Sequence, residues 1–208
     1  RTSRAVVRPA LGNGQESGYV CSMLSIRVLP LLARVAGALL LAAGITACVP
    51  EPPARWAEGG APVVIPEARF DRGRGDPIEI HADGTVVEDG DLLFKLDRAG
   101  RVFDEDNEPI ALLNSDGSIS GPDNVYMGRV GMHNASPPWS GTAWLRVRTD
   151  GKVALYDSDG EAQYGGKWTG CAPPATRACT LVTHLLALAA ARHRESDVQV
   201  GIGIGMVY

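Results

Sequence analysis

The 208-residue sequence lacks the short motifs by which many enzymes can be read directly. It has no Gly-x-Ser-x-Gly elbow, no His-Glu-x-x-His, no Ser-x-x-Lys and no Walker loop. Those spacings exist because a nucleophile, a metal or a phosphate must meet fixed partners, so the sequence offers no candidate for that chemistry and no enzyme is expected. Cysteine and histidine are scarce, at four each. His81, His133, His184 and His193 are scattered and each reads as a surface or capping residue. No second cysteine pair completes a zinc site, and no cofactor is indicated. Aromatics are only 6% of the chain, and 20 Lys and Arg face 24 Asp and Glu. Without a basic excess, nucleic acid is not an expected partner.

What is present begins with a leader. The first methionine is Met23, and residues 1–22 show no hydrophobic periodicity, so they read as an upstream segment outside the native protein. Arg27 and Arg34 precede an uncharged run of 12 residues, Val35 to Thr46, and small residues then lead to Cys48. Such a run spans about 18 Å as a helix, short of the ~30 Å hydrocarbon core. The order of charge, apolar run and small residues predicts a secretory signal peptide over 23–47.

Ile45-Thr46-Ala47-Cys48 resembles the lipobox of bacterial lipoproteins. The resemblance covers residues 23–48. It implies that Cys48 carries a diacylglycerol and becomes the first residue after cleavage. It implies a membrane partner reached through that lipid. Val49, rather than Asp, follows the cysteine; within the resemblance this points to the outer membrane, facing the periplasm or the cell surface. Residues 1–47 carry five Arg against one Glu, or +4, so the rest of a chain of net charge −4 holds −8. An acidic domain is not held on anionic lipid by its net charge, which leaves the anchoring to the acyl chains.

Five prolines fall between Pro50 and Pro66. This composition predicts that 48–76 is the lipidated cysteine followed by a Pro-rich tether, with Trp56 and Phe70 able to dock. From Pro77 a period of about 17 residues sets in. Turn dipeptides recur at Asp83-Gly84, Ala99-Gly100, Asp116-Gly117, His133-Asn134 and Asp150-Gly151. A second series interleaves at Asp89-Gly90, Asp106-Asn107, Asp123-Asn124, Ser140-Gly141 and Asp159-Gly160. Two turns per period mean two strands per unit, and two-residue turns would pair them antiparallel. The apolar residues keep step: Ile80, Leu96, Leu113, Val130 and Val147 recur, with Glu79, Lys95, Leu112, Arg129 and Arg146 beside them. That alternation marks half-buried strands. The fourth copy is weakest, with Gly128, Ser136, Pro137 and Pro138, and reads as a loop or an edge.

Residues 171–208 close the chain. The run from Thr176 to Arg192 predicts a helix with Thr176 as N-cap and one apolar stripe through Cys179, Val182, Leu185, Leu186 and Ala189. Alternation from Val198 to Tyr208 predicts a final strand. The fold expected is therefore mainly β: an antiparallel meander of short hairpin repeats over 77–170, one C-terminal helix packed on the sheet, and a terminal strand. Open sheet, barrel and solenoid all satisfy the pattern.

Cys171 and Cys179 form an even pair suited to a disulfide in an oxidising compartment; two buried thiols are the alternative. Asp104, Asp106, Asp157 and Asp159 resemble pieces of calcium loops, although residue 168 is Trp where a closing Glu would stand. Asp-rich turns explain them more simply. Trp139 and Trp144 flank Ser140-Gly141 and are candidates for a ligand groove or for plain packing. The Asp-Gly repeats followed by a Gly-Cys…Cys helix are similar to those of envelope lipoproteins of Gram-negative bacteria, a resemblance that implies a location and brings no activity. The expected function is a membrane-anchored, non-enzymatic structural or interaction role, with an envelope protein or glycan as partner. The alternative is a small-ligand or calcium-binding module.

Overall fold

The computed structural model describes residues 50–202, with side chains through Arg192. The expectations for residues 1–22, for the leader over 23–47, for Cys48 and for residues 203–208 lie outside the described residues.

Twelve short strands follow in order: β1 (Ala68–Asp71), β2 (Ile78–Ile80), β3 (Thr85–Glu88), β4 (Asp91–Leu96), β5 (Arg101–Phe103), β6 (Pro109–Leu113), β7 (Ser118–Ser120), β8 (Tyr126–Val130), β9 (Asn134–Ser136), β10 (Leu145–Val147), β11 (Lys152–Tyr156) and β12 (Ala162–Thr169). Each pairs antiparallel with the next, and β1 pairs with both β2 and β12. The meander is thereby closed into a barrel. Side chains on one face, among them Ile78, Ile80, Val86, Leu96, Leu113, Val130 and Val147, join a single buried core. Their neighbours Glu79, Lys95, Arg129 and Arg146 lie on the other face and are more exposed.

The segment expected as a tether over 48–76 is structured from Pro50 onward and supplies the closing strand. Phe70 on β1 stacks on Trp168 of β12, with ring centroids 4.8 Å apart. Ala61 and Val63 join the core, and Ala61 donates its N–H to the Leu113 carbonyl at 2.6 Å. Proline content misleads here because an extended chain also suits a strap laid over a sheet. The strap explains Leu112, an apolar residue on the outward face: Gly60 packs on it, and Leu112 is 0% exposed.

The turns at one end are not two-residue turns. His81 donates to the Thr85 carbonyl and Gly84 to the His81 carbonyl. That places three residues in the loop, with Gly84 left-handed at φ +90°. Asp83 accepts from the Thr85 N–H at 3.0 Å and hydroxyl at 2.7 Å, which holds its carboxyl below the usual range. Ser118 does the same for Asp116, its hydroxyl foremost. The glycine carbonyls then link neighbouring hairpins: Leu96, Leu113, Val130 and Trp168 donate to Gly84, Gly100, Gly117 and Gly151. A two-residue turn does occur at Asp89-Gly90, where both residues have positive φ. At the fourth turn Asn134 opens β9 instead of taking the left-handed role.

Helix α1 (Thr176–Ile202) follows β12. It lies nearest β8, β9 and β10. A one-sided stripe was expected, but Thr176, Ala178, Cys179, Thr180, Leu181, Val182, Thr183 and His184 are all at most 4% exposed. This first part of the helix is buried nearly all round, whereas Ala189, at the end of the expected stripe, is exposed; buried polar side chains there must find partners. Thr180 and Thr183 donate back to the carbonyls of Thr176 and Cys179, at 2.9 and 2.7 Å. Thr176 is the first helical residue, and its hydroxyl donates to the Cys171 carbonyl rather than capping the helix. The final strand expected from Val198 is replaced, through Ile202, by continued helix. Once a helix is nucleated in a packed interface, each further residue adds a hydrogen bond at little cost. Among the described residues no helix is long and apolar enough to cross a membrane.

Gly84 and Gly90 share a left-handed backbone but differ in surroundings. A Cβ on Gly84 would sit 1.9 Å from the Leu96 carbonyl oxygen, whereas one on Gly90 meets nothing within 4 Å. Gly90→Ala is predicted to cost about 1–2 kcal/mol, the left-handed penalty alone. Gly84→Ala adds the clash and is predicted to cost at least about 3 kcal/mol. Urea unfolding of both variants measures the difference.

Candidate functional site

The outward faces of β9–β12 carry a surface unlike the acidic rest. Period-two alternation sends Arg146 of β10 outward, with Arg148 just past its end and Lys152, Ala154 and Tyr156 of β11, and a bulge between the Val153–Gly166 and Ala154–Tyr164 pairs brings both Tyr164 and Lys167 of β12 to the same side. Register brings them side by side. Arg146 stands opposite Asn134 on one flank and Ala154 on the other. Ala154 in turn faces Tyr164, and Lys152 faces Lys167. Ala154 is small between an arginine and a tyrosine, so the sheet is hollowed there.

Two adjoining cavities follow. One, of about 500 Å³, is lined by His133, Arg146, Arg148, Ala154 and Tyr156 among others. The next, of about 770 Å³, includes Trp139, Trp144, Arg146, Tyr156 and Asp157. Arg146 and Tyr156 belong to both. Trp139 is 64% exposed and Tyr164 67%. Trp139 meets Trp144 edge-on, at 5.5 Å and 89°. Asp150 stands 3.7 Å from Arg148 and 3.8 Å from Lys152. Among the described residues Arg146 pairs with no carboxylate.

Trp144 is fixed from behind by α1. Its Nε1–H donates to His184 Nδ1 at 3.0 Å, and His184 Nε2 lies 2.8 Å from the Met127 carbonyl. The tryptophan can only donate and the carbonyl can only accept, so the imidazole is neutral with its proton on Nε2. Burial pushes its pKa down from 6.5 to about 4, against the Met127 hydrogen bond, which raises it. The sequence placed His184 at the surface or a cap; the structure buries it completely. The signal that it was interior is Gly128, whose missing side chain makes room for the ring: a Cβ there would lie 3.0 Å from it. His133 is half-buried, with Nδ1 3.0 Å from the Val147 carbonyl.

The calcium candidates are not gathered into a cage. Asp104 Oδ1 accepts from the N–H groups of Asp106 and Glu108, at 3.0 and 2.8 Å. Asp157 Oδ1 does likewise from Asp159 and Glu161, at 3.1 and 2.9 Å. These carboxylates staple their own hairpin loops. Among the described residues no group of three or more His, Cys, Asp or Glu is placed to hold a metal ion. Cys171 and Cys179 are disulfide-bonded, with Cα atoms 6.2 Å apart, and join the start of α1 to the end of β12. Of the residues singled out from sequence, Trp139 and Trp144 come together at the groove. The cations and tyrosines beside them were missed: Arg146 and Arg148 before Asp150-Gly151, and Lys152 and Tyr156 after it, alternate like any outward-facing residues. Comparison of the chain with protein-family models, curated proteins and solved structures finds no match.

His184 makes stability depend on pH. Between about 4 and 6.5 the unfolded chain takes up a proton that the folded chain refuses. Stability is therefore full above 6.5 and falls as pH drops toward 4, by on the order of 2–3 kcal/mol. Urea midpoints across this range are predicted to fall more steeply for the wild type than for His184→Gln, which cannot titrate.

Proposed function

We propose that this chain is a cell-envelope lipoprotein, held on the outer membrane by lipid on Cys48, whose barrel acts by binding rather than by catalysis. The observation that carries the binding role is the trough over β9–β12, where exposed aromatics and an unpaired arginine face solvent on one rigid sheet. Those are the residue types that bind and orient partners. The one buried imidazole beside it is spent on Trp144 and the Met127 carbonyl, so it is committed to structure rather than to proton transfer. The anchor reading rests on the leader and on Ile45-Thr46-Ala47-Cys48. Two or more acyl chains bind a membrane firmly where one holds only marginally.

A small-ligand module of the envelope is the second reading. The cavities of about 500 and 770 Å³ favour it, being within the range of small-ligand sites. For its calcium branch, no group of three or more His, Cys, Asp or Glu is placed to hold a metal ion among the described residues.

Intact-mass analysis of the membrane fraction tests the anchor. The wild-type chain is predicted to begin at Cys48 and to carry fatty-acyl mass there; Cys48→Ser is predicted to lose that mass and leave the membrane. A native chain beginning upstream of Cys48 overturns the reading. For the binding role, a photo-crosslinker placed at Tyr164 in intact cells is predicted to capture an envelope component, and Trp139→Ala to weaken the capture.

A further inference from the structure

We propose that the trough over β9–β12 binds an acidic saccharide, a sugar chain bearing carboxylates. This rests on the reading of that face as a binding surface and names its ligand class. Charge is the first argument. Residues 48–208 carry −8 by sequence, yet Arg146, Arg148, Lys152 and Lys167 crowd one sheet face. Asp150 already stands against Arg148 and Lys152, and Asp71 stands opposite Lys167, which leaves Arg146 as the cation on this face without a carboxylate partner among the described residues. Arg146 has an open guanidinium fork, the geometry that takes a carboxylate through two hydrogen bonds.

Shape and aromatic content select a sugar among anions. Trp139 and Trp144 stand at right angles and make a corner with one exposed wall. A pyranose presents an apolar C–H face that packs on such a ring, while its hydroxyls reach the polar rim of Ser140, Thr142 and Asn134. Tyr156 and Tyr164 continue the aromatic line past Ala154. The two cavities share Arg146 and Tyr156, so a chain of sugars can run from the tryptophan corner onto the cations without a break. Asp157 and Asp159 also line the larger cavity, and Asp157 has one oxygen already bound to two backbone N–H groups. A concave trough suits a linear ligand better than a lipid surface, which would favour a convex, protruding face.

The test is tryptophan fluorescence and calorimetry on the purified full chain in detergent, with trigalacturonate as probe. Saturable binding is expected, weakening with added salt. Trp139→Ala and Arg146→Ala are each expected to reduce affinity at least about tenfold. Both side chains are exposed, so these variants keep the fold. Arg129→Ala, an exposed arginine on β8, is expected to leave binding unchanged. Maltotriose, neutral and of similar size, is expected to bind more weakly. Absence of saturable trigalacturonate binding at millimolar levels overturns the proposal. So does binding of tetrapolyphosphate or phosphatidylglycerol-doped micelles that matches trigalacturonate and ignores Trp139→Ala, which would mark a general anion or lipid surface. Should trigalacturonate fail while the in-cell capture still depends on Trp139, the ligand class falls and the binding role stands.

Discussion

Everything in this fold depends on four residues that join two sheet edges. A meander of short hairpins ends in two bare rows of N–H and C=O groups, which invite pairing with other chains. Here β1 lies between β2 and β12 and satisfies both rows at once. Strands of three to eight residues bury little apolar area each. Closure lets all of them share one core, and the Phe70–Trp168 stack locks the seam. The strap that leads into β1 adds Ala61 and Val63 to that core and covers Leu112.

The second constraint is the helix. The fourth repeat is poor in side chains, and the sheet there would leave a void. Helix α1 fills it: His184 occupies the space Gly128 leaves, Thr180 reaches the Met132 carbonyl, and Trp168 donates to Thr183. The same helix holds Trp144 in place, so the wall of the trough is set by a contact in the interior. Fold and candidate site are thus coupled through one imidazole.

The repeat was legible because turn chemistry and alternation are local. Gly84, Gly100, Gly117 and Gly151 announce the hairpins, and Ile80, Leu96, Leu113 and Val147 announce the inner face. Closure was not legible. Residues 68–71 look like linker because what makes them a strand is β12, far away in sequence. The helix was found, but its depth was not, since burial of Thr180 and His184 depends on what β8 and β9 omit. Trp139 and Trp144 stood out by residue type. Arg146, Arg148, Lys152 and Lys167 did not, because cations at outward positions look ordinary until register sets them together.

The seam also orders events in time. Phe70 and Trp168 are 98 positions apart, so the first strand has no second partner until nearly the whole domain exists. Such long-range pairing slows folding and leaves intermediates with open edges. Closure is therefore also protective: until β1 has met β12, the edges of the sheet stay open to pairing with neighbouring chains.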